Sequence, residues 1–187
     1  ANWQRIASIA RERSAAGRHV LIVHSALSGI TDRLERLLEG ALQGAHAAIL
    51  DDIEQRHRAL AADLGVPVDA TLQRQLDELR QLAAGIALVG EVSARTRARA
   101  MSAGELMATA LGAAYLRSQG LDVHWADARR MLRAEERKGA SAKASVLSAT
   151  CVFTPDDALA RELAAAAPIA ITQGFIASDD DGHTVLL

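Results

Sequence analysis

The run His19-Val20-Leu21-Ile22-Val23-His24, followed at once by Ser25-Ala26-Leu27-Ser28-Gly29-Ile30-Thr31-Asp32, decides the fold. Its first six residues are short, apolar and largely β-branched, the pattern of a buried strand in a parallel sheet. The small residues that follow make a turn, and apolar positions at helical spacing predict a helix over 31–42. Ser28 is the expected N-cap of that helix, and Gly29 tolerates positive φ. A strand, a small-residue turn and a helix N-terminus together offer backbone N–H groups to an anion. The plain alternative is an ordinary strand-to-helix connection. The segment is not a Walker A loop, because it lacks the Gly-Lys-Ser/Thr and has a different spacing.

Outward from this unit, strands and helices alternate. Helices are predicted over 3–16, with Gly17 to stop it, over 51–64 and over 69–84, the last two separated by Gly65-Val66-Pro67. Residues 92–120 read as one broken or continuous helical region. A strand at 121–125 leads to a short helical turn at 128–132. The polar stretch 134–141 is expected to be mobile, and 146–152 to form a strand. A helix over 155–165 has Pro155 in its first turn. Residues 169–172 are a second buried strand, and Asp179-Asp180-Asp181-Gly182 is a hairpin turn into a last strand at 184–187. Such alternation predicts an α/β fold with a mainly parallel sheet and helices on both faces.

A chain of 187 residues, half of them hydrophobic and 24% charged, suits one globular domain with a real core. Aromatic residues are only 3%, so Ala, Leu, Ile and Val must fill that core. The net charge of −2 gives no argument for nucleic acid or an anionic membrane surface. A lone Cys151 excludes an internal disulfide and reads as a small core residue. No apolar run is long enough to span a membrane and no signal peptide is visible, so the expected compartment is the cytoplasm.

One carboxylate stands out. Glu105 lies within Ser102-Ala103-Gly104-Glu105-Leu106-Met107 and ahead of a stretch suited to burial. An unpaired charge there would cost several kcal/mol, so Glu105 either faces solvent or meets a cation. A salt bridge to Arg95, Arg97 or Arg99 is the plain alternative. It is weakened because Arg99 is six residues away rather than three or four. Arg95 and Arg97 are expected on solvated faces or paired with Glu91. Gln173-Gly174-Phe175 follows a strand, where open α/β sheets place ligands; alternatively it is a turn, with Phe175 in the core. Asp179–Asp181 read as a solvated tip more readily than as a metal site. His24 reads as a packed or capping residue, and the other histidines lack metal-ligand spacing.

Together these segments resemble the aspartate kinases of the amino-acid kinase family. Residues 23–32 are similar to the family's strand and S-A-x-x-G-x-T-[DN] turn, and residues 102–107 to its S-x-G-E-x-x-S helix start. Here Ala108-Thr109 follows, where a Ser is usual one position earlier than Thr109. Trp125-Ala126-Asp127-Ala128-Arg129 resembles W-x-D-[AV]-R, and residues 171–178 resemble [VI]-x-Q-G-F-I-[GA]. The resemblance covers nearly the whole chain. It implies a three-layer sandwich, and phosphoryl transfer from ATP, with Mg, to the side-chain carboxylate of L-aspartate.

Carried over by residue, Thr31 would hydrogen-bond the bound aspartate and Glu105 would pair with its ammonium group. Phe175 would line the substrate pocket, and Ser25, Ala26 and Gly29 would lie on the phosphate side. The family's K-F-G-G-T-S and G-R-G-G-S-D loops are absent from residues 1–187. The chain is therefore expected to be the N-terminal, aspartate-binding part of such a domain, truncated at both ends, inactive alone and without bound cofactor. The nucleotide-binding half and regulatory ACT domains would belong to a parent protein, either a single-function or a bifunctional enzyme. A homo-oligomer is expected, through an apolar edge at 184–187. The alternative is a non-catalytic ligand-binding or interaction domain of the same architecture.

Overall fold

A computed structural model describes residues 2–135, 139 and 141–187, without the side chain of Asn2. The elements run α1 (Asn2–Ala15), β1 (Val20–His24), α2 (Ile30–Leu42), α3 (Ala47–Leu64), α4 (Ala70–Val89) and α5 (Ala94–Ser118). They continue with β2 (Val123–Trp125), α6 (Ala128–Met131), α7 (Ala142–Leu147), α8 (Asp157–Ala166), β3 (Ile169–Gln173), β4 (Ile176–Ser178) and β5 (Thr184–Leu186). The first three strands form a parallel sheet in the order β1-β3-β2, and β4 and β5 form a separate antiparallel hairpin.

The central strand is β3, although β1 is the more apolar in sequence. All five residues of β3 are buried, with β1 and β2 on either side. Register fixes which side chains share a face, since paired residues in a parallel sheet point the same way. Ile22, Ile171 and Trp125 face one side; Leu21, Ala170 and His124 face the other. The first side receives α5, a 25-residue helix whose middle and C-terminal half are buried almost without interruption. Helices α2, α3 and α4 pack around α5 and enclose Leu34, Leu37, Leu72, Leu76 and Leu79. Amphipathic α8 lies along β3. The expected α/β class, with a parallel sheet between helical layers, is the fold observed.

Two close approaches depend on glycine. An added Cβ on Gly112 would come within 2.0 Å of the Trp3 ring, so that notch seats α1 against α5. A Cβ on Gly104 would sit 3.1 Å from Ala26, Ile30 and Leu34, and this brings α5 against the β1–α2 turn one residue before Glu105.

Several local expectations are corrected. Residues 146–152 are not a strand: 146 and 147 end helix α7, whose cap is the Ser141 hydroxyl accepting from the Ala144 N–H, and beyond it Cys151 makes an isolated bridge to Ala134. Pro155 precedes α8 instead of opening it; the cap is Asp156, which accepts from the Ala158 and Leu159 N–H groups. Ser28 is not the cap of α2, because Gly29 holds that position at φ 72° with no side-chain cap. Strand β1 is not buried throughout: Leu21 and Val23 are 53% and 60% exposed. Conversely, Val185 in β5 is only 1% exposed, so residues 184–186 do not form the exposed apolar edge expected of them. Cys151 is half-buried, packed at the margin of a small apolar cluster around Ala177 and Val185 instead of inside the main core. In the polar stretch 134–141, residues 136–138 and 140 lie outside the described residues.

Candidate functional site

Glu105 is 5% exposed, and no described cation meets it. All three nearby arginines are engaged elsewhere. Arg95 pairs with Asp179 at 2.9 Å, Arg97 with Glu35, and Arg99 with Glu78 at 2.5 Å. Neither a salt bridge to Glu105 nor a pairing with Glu91 therefore accounts for them. What Glu105 does meet is the β1–α2 turn: the Ser25 hydroxyl donates to Oε1 at 3.1 Å, while Oε2 is buried without a partner among the described residues. Burial raises the Glu105 carboxyl pKa above its ordinary value, and the Ser25 hydroxyl and Ala26 backbone N–H pull the other way. An orphan oxygen on a buried carboxylate is an open position for a donor.

Gly29 in the left-handed region starts α2 and, among the described residues, no side-chain cap bond is made there. Thr31 lies exposed on the same turn. Ala26 is half-buried against the Gly104 position, so Ser25, Ala26 and Glu105 come together in one place.

Phe175 is not a core residue. It is 49% exposed and carries φ 66°, a left-handed conformation that costs a bulky residue of order 1–3 kcal/mol. Its backbone is held from two sides: the Gly174 N–H donates to the His24 carbonyl at 3.2 Å, and the Leu187 N–H donates to Phe175 O at 2.9 Å. The first of these bonds joins the β3–β4 turn to the residue before Ser25. His24 is a packed residue, stacked on Trp3 with ring centroids 4.8 Å apart, and burial lowers its pKa.

Two residues behind the site carry more of its structure than the sequence signalled. Gln173 is 2% exposed and uses both ends of its amide. Nε2 donates to Thr109 Oγ1 at 2.7 Å, and Oε1 accepts from the Ala128 N–H at 2.8 Å. Thr109 Oγ1 also accepts from Trp125 Nε1 at 3.0 Å and donates to the Glu105 carbonyl at 2.8 Å. Asp127, in the adjoining segment, caps α6 and grips the Arg129 guanidinium with both carboxylate oxygens.

A metal fits less well. Among the described residues, one trio of possible ligands occurs, Asp179, Asp181 and His183. It is on the β4–β5 hairpin, where Asp179 Oδ1 already accepts from the His183 N–H and Oδ2 pairs with Arg95. No helix is long and apolar enough to cross a membrane among the described residues.

A parallel sheet packed between helices, with a strand–turn–helix unit closing on a buried carboxylate, makes this an α/β domain. The chain belongs to the amino acid kinase family, whose sequence profile matches residues 1–187. It is 32% identical over 176 residues to lysine-sensitive aspartokinase 3 of Escherichia coli, covering 89% of this chain and 36% of that protein. It is also 32% identical over 119 residues to the chloroplastic bifunctional aspartokinase/homoserine dehydrogenase 1 of Arabidopsis thaliana, covering 60% of this chain and 13% of that one. Among solved structures, E. coli aspartokinase III in complex with aspartate and ADP superposes with a TM-score of 0.73. That match has 30% identity over 99% of this chain and 40% of the other. The lysine and aspartate complex of the same enzyme gives 0.65 at 32% identity, over 89% and 36%. The chain thus spans roughly two fifths or less of the length of these relatives.

Proposed function

We propose that this chain is the aspartate-binding part of an aspartate kinase, which moves the γ-phosphoryl group of ATP to the side-chain carboxylate of L-aspartate. The observation that carries the reading is Glu105, a buried carboxylate with a free oxygen and no described cation. A substrate ammonium group supplies the missing charge. In this reading Thr31 hydrogen-bonds the same substrate, Phe175 lines its pocket, and Ser25, Ala26 and Gly29 face the transferring phosphate. The bound aspartate and ADP of the E. coli structure support that substrate pair.

Phosphoryl transfer passes through a loose transition state with charge on the phosphoryl oxygens, so positioned donors matter more than a protein nucleophile. The uncapped first turn of α2 offers such donors. Mg would neutralise phosphate charge, but the one described ligand trio is at the hairpin and not at this turn, so no step is assigned to it. The nucleotide-binding half and ACT domains belong, in this proposal, to a parent protein that is cytoplasmic and homo-oligomeric.

Titration calorimetry of this chain with L-aspartate, beside an ADP-release assay, tests the reading. Wild type should bind, Glu105→Ala should bind about 10- to 100-fold more weakly, as loss of a charged hydrogen bond implies, and neither should release ADP. Turnover by the chain alone at about 1–100 s⁻¹, or unchanged affinity in Glu105→Ala, would overturn it. A parent protein that binds aspartate but never releases ADP would mark a non-catalytic binding domain instead.

A further inference from the structure

We infer that Thr109 and Gln173 are positioning residues. They close a ring that ties the Glu105 carboxylate, through the β1–α2 turn it rests on, to the turn bearing Phe175. The inference rests on the reading of Glu105 as the partner of the substrate ammonium. The ring starts at the carboxylate, where Ser25 Oγ donates to Oε1 at 3.1 Å. Ser25 follows His24, whose carbonyl accepts from the Gly174 N–H at 3.2 Å. Gly174 follows Gln173, whose Nε2 donates to Thr109 Oγ1 at 2.7 Å. Thr109 then donates to the carbonyl of Glu105 itself at 2.8 Å. Side chain and backbone of the same glutamate are thus the two ends of one closed path.

The Thr109 hydroxyl is the saturated junction of that path. A hydroxyl has one donor and two acceptor positions; here the donor goes to Glu105 O, with Leu106 O farther off at 3.2 Å, and the acceptor positions go to Gln173 and Trp125. Gln173 is braced in turn by the Ala128 N–H. Thr109 and Gln173 are 0% and 2% exposed, so neither is placed to touch a ligand in solvent. What they hold is placed to do so: Phe175 is half-exposed two residues beyond Gln173, in a backbone conformation that needs its surroundings to persist. A site that must recognise a small amino acid needs such support to keep its contacts within fractions of an ångström.

Thr109→Val keeps the shape and removes the hydroxyl, Thr109→Ser restores it, and Gln173→Glu keeps the acceptor for Ala128 while losing the donor to Thr109. The readouts are amide and Trp125 indole N–H resonances of the ¹⁵N-labelled chain without ligand, and the Kd for L-aspartate. Thr109→Val and Gln173→Glu should both move the Ser25, Gly174 and Phe175 amides and weaken aspartate about 5-fold, with Thr109→Ser close to wild type on both counts. Shifts confined to α5 and Trp125, with affinity within about 2-fold of wild type, would reduce the two residues to core packing and overturn the inference. If wild type binds no aspartate, the ammonium reading of Glu105 fails. The ligand-free amides then decide the ring alone: it stands if Ser25, Gly174 and Phe175 move, and falls if they do not. Should Thr109→Val not fold, Gln173→Glu separates the same two outcomes.

Discussion

A buried carboxylate without a cation makes protonation and ligand binding compete. Because burial raises the Glu105 pKa above its ordinary 4.5, the folded chain holds this proton more tightly than the unfolded chain does. The contribution of Glu105 to stability is therefore complete below the unfolded value and is lost as pH rises through the folded one. Aspartate binding has the opposite sign, since it needs the ionised form and fades as pH falls through that raised value. Glu105→Gln separates the two effects. It should raise the melting temperature of the ligand-free chain at neutral pH, by removing a desolvated charge, while weakening aspartate about 10- to 100-fold. Thermal melts with and without aspartate check both halves, and a lowered ligand-free midpoint would show that the charge is stabilising. Glu105 was legible because a carboxylate among Gly, Ala, Leu and Met breaks the local pattern. Thr109 and Gln173 were not, because their bond joins residues 64 apart and leaves no mark on either segment's periodicity.

At the scale of elements, the apolar period found most helices to within a few residues, and the parallel strands as well. It failed where short segments are governed by caps. Residues 146–152 carry enough β-branched residues to suit a strand, yet the Ser141 hydroxyl, accepting from the Ala144 N–H, starts a helix that takes up 146 and 147. The path of α1 was also invisible, because it depends on one notch in a helix a hundred residues away. Gly112→Ala tests that dependence. Its Cβ would come within 2.0 Å of Trp3, a clash with a rigid ring held between His24 and Tyr115. A loss of about 1–3 kcal/mol is expected, as for other overpacked cores. Calorimetry would measure it, whereas the same change at an exposed helical glycine should be mildly stabilising; Gly85, with open space around its Cβ position, is the control.

Across the whole molecule, the distribution of apolar surface could not be read from the order of elements. Residues 184–187 look like an exposed edge only if the last strand is imagined extending the main sheet. It folds back on β4 instead and packs against α5 and α7, while Leu21 and Val23 stay open on β1. The consequence for charge insertion is a clear contrast. Val185→Lys should cost several kcal/mol, the usual penalty of an unpaired buried charge, and Leu21→Lys about 0.5 kcal/mol or less, as for surface substitutions. Denaturant midpoints of the two variants decide it, and equal midpoints would place β5 at the surface after all.

The stack of Trp3 on His24 has a spectroscopic consequence. The chain has two indoles, and the structure gives them unlike surroundings: Trp3 lies face to face with an imidazole, while Trp125 donates to a buried hydroxyl. A protonated imidazole accepts an electron from an excited indole far more readily than a neutral one. Since burial lowers the His24 pKa, Trp3 emission should dim at a lower pH than beside an ordinary histidine. The unlabelled chain thus carries an optical gauge at the end of β1, one residue from the hydroxyl that meets Glu105.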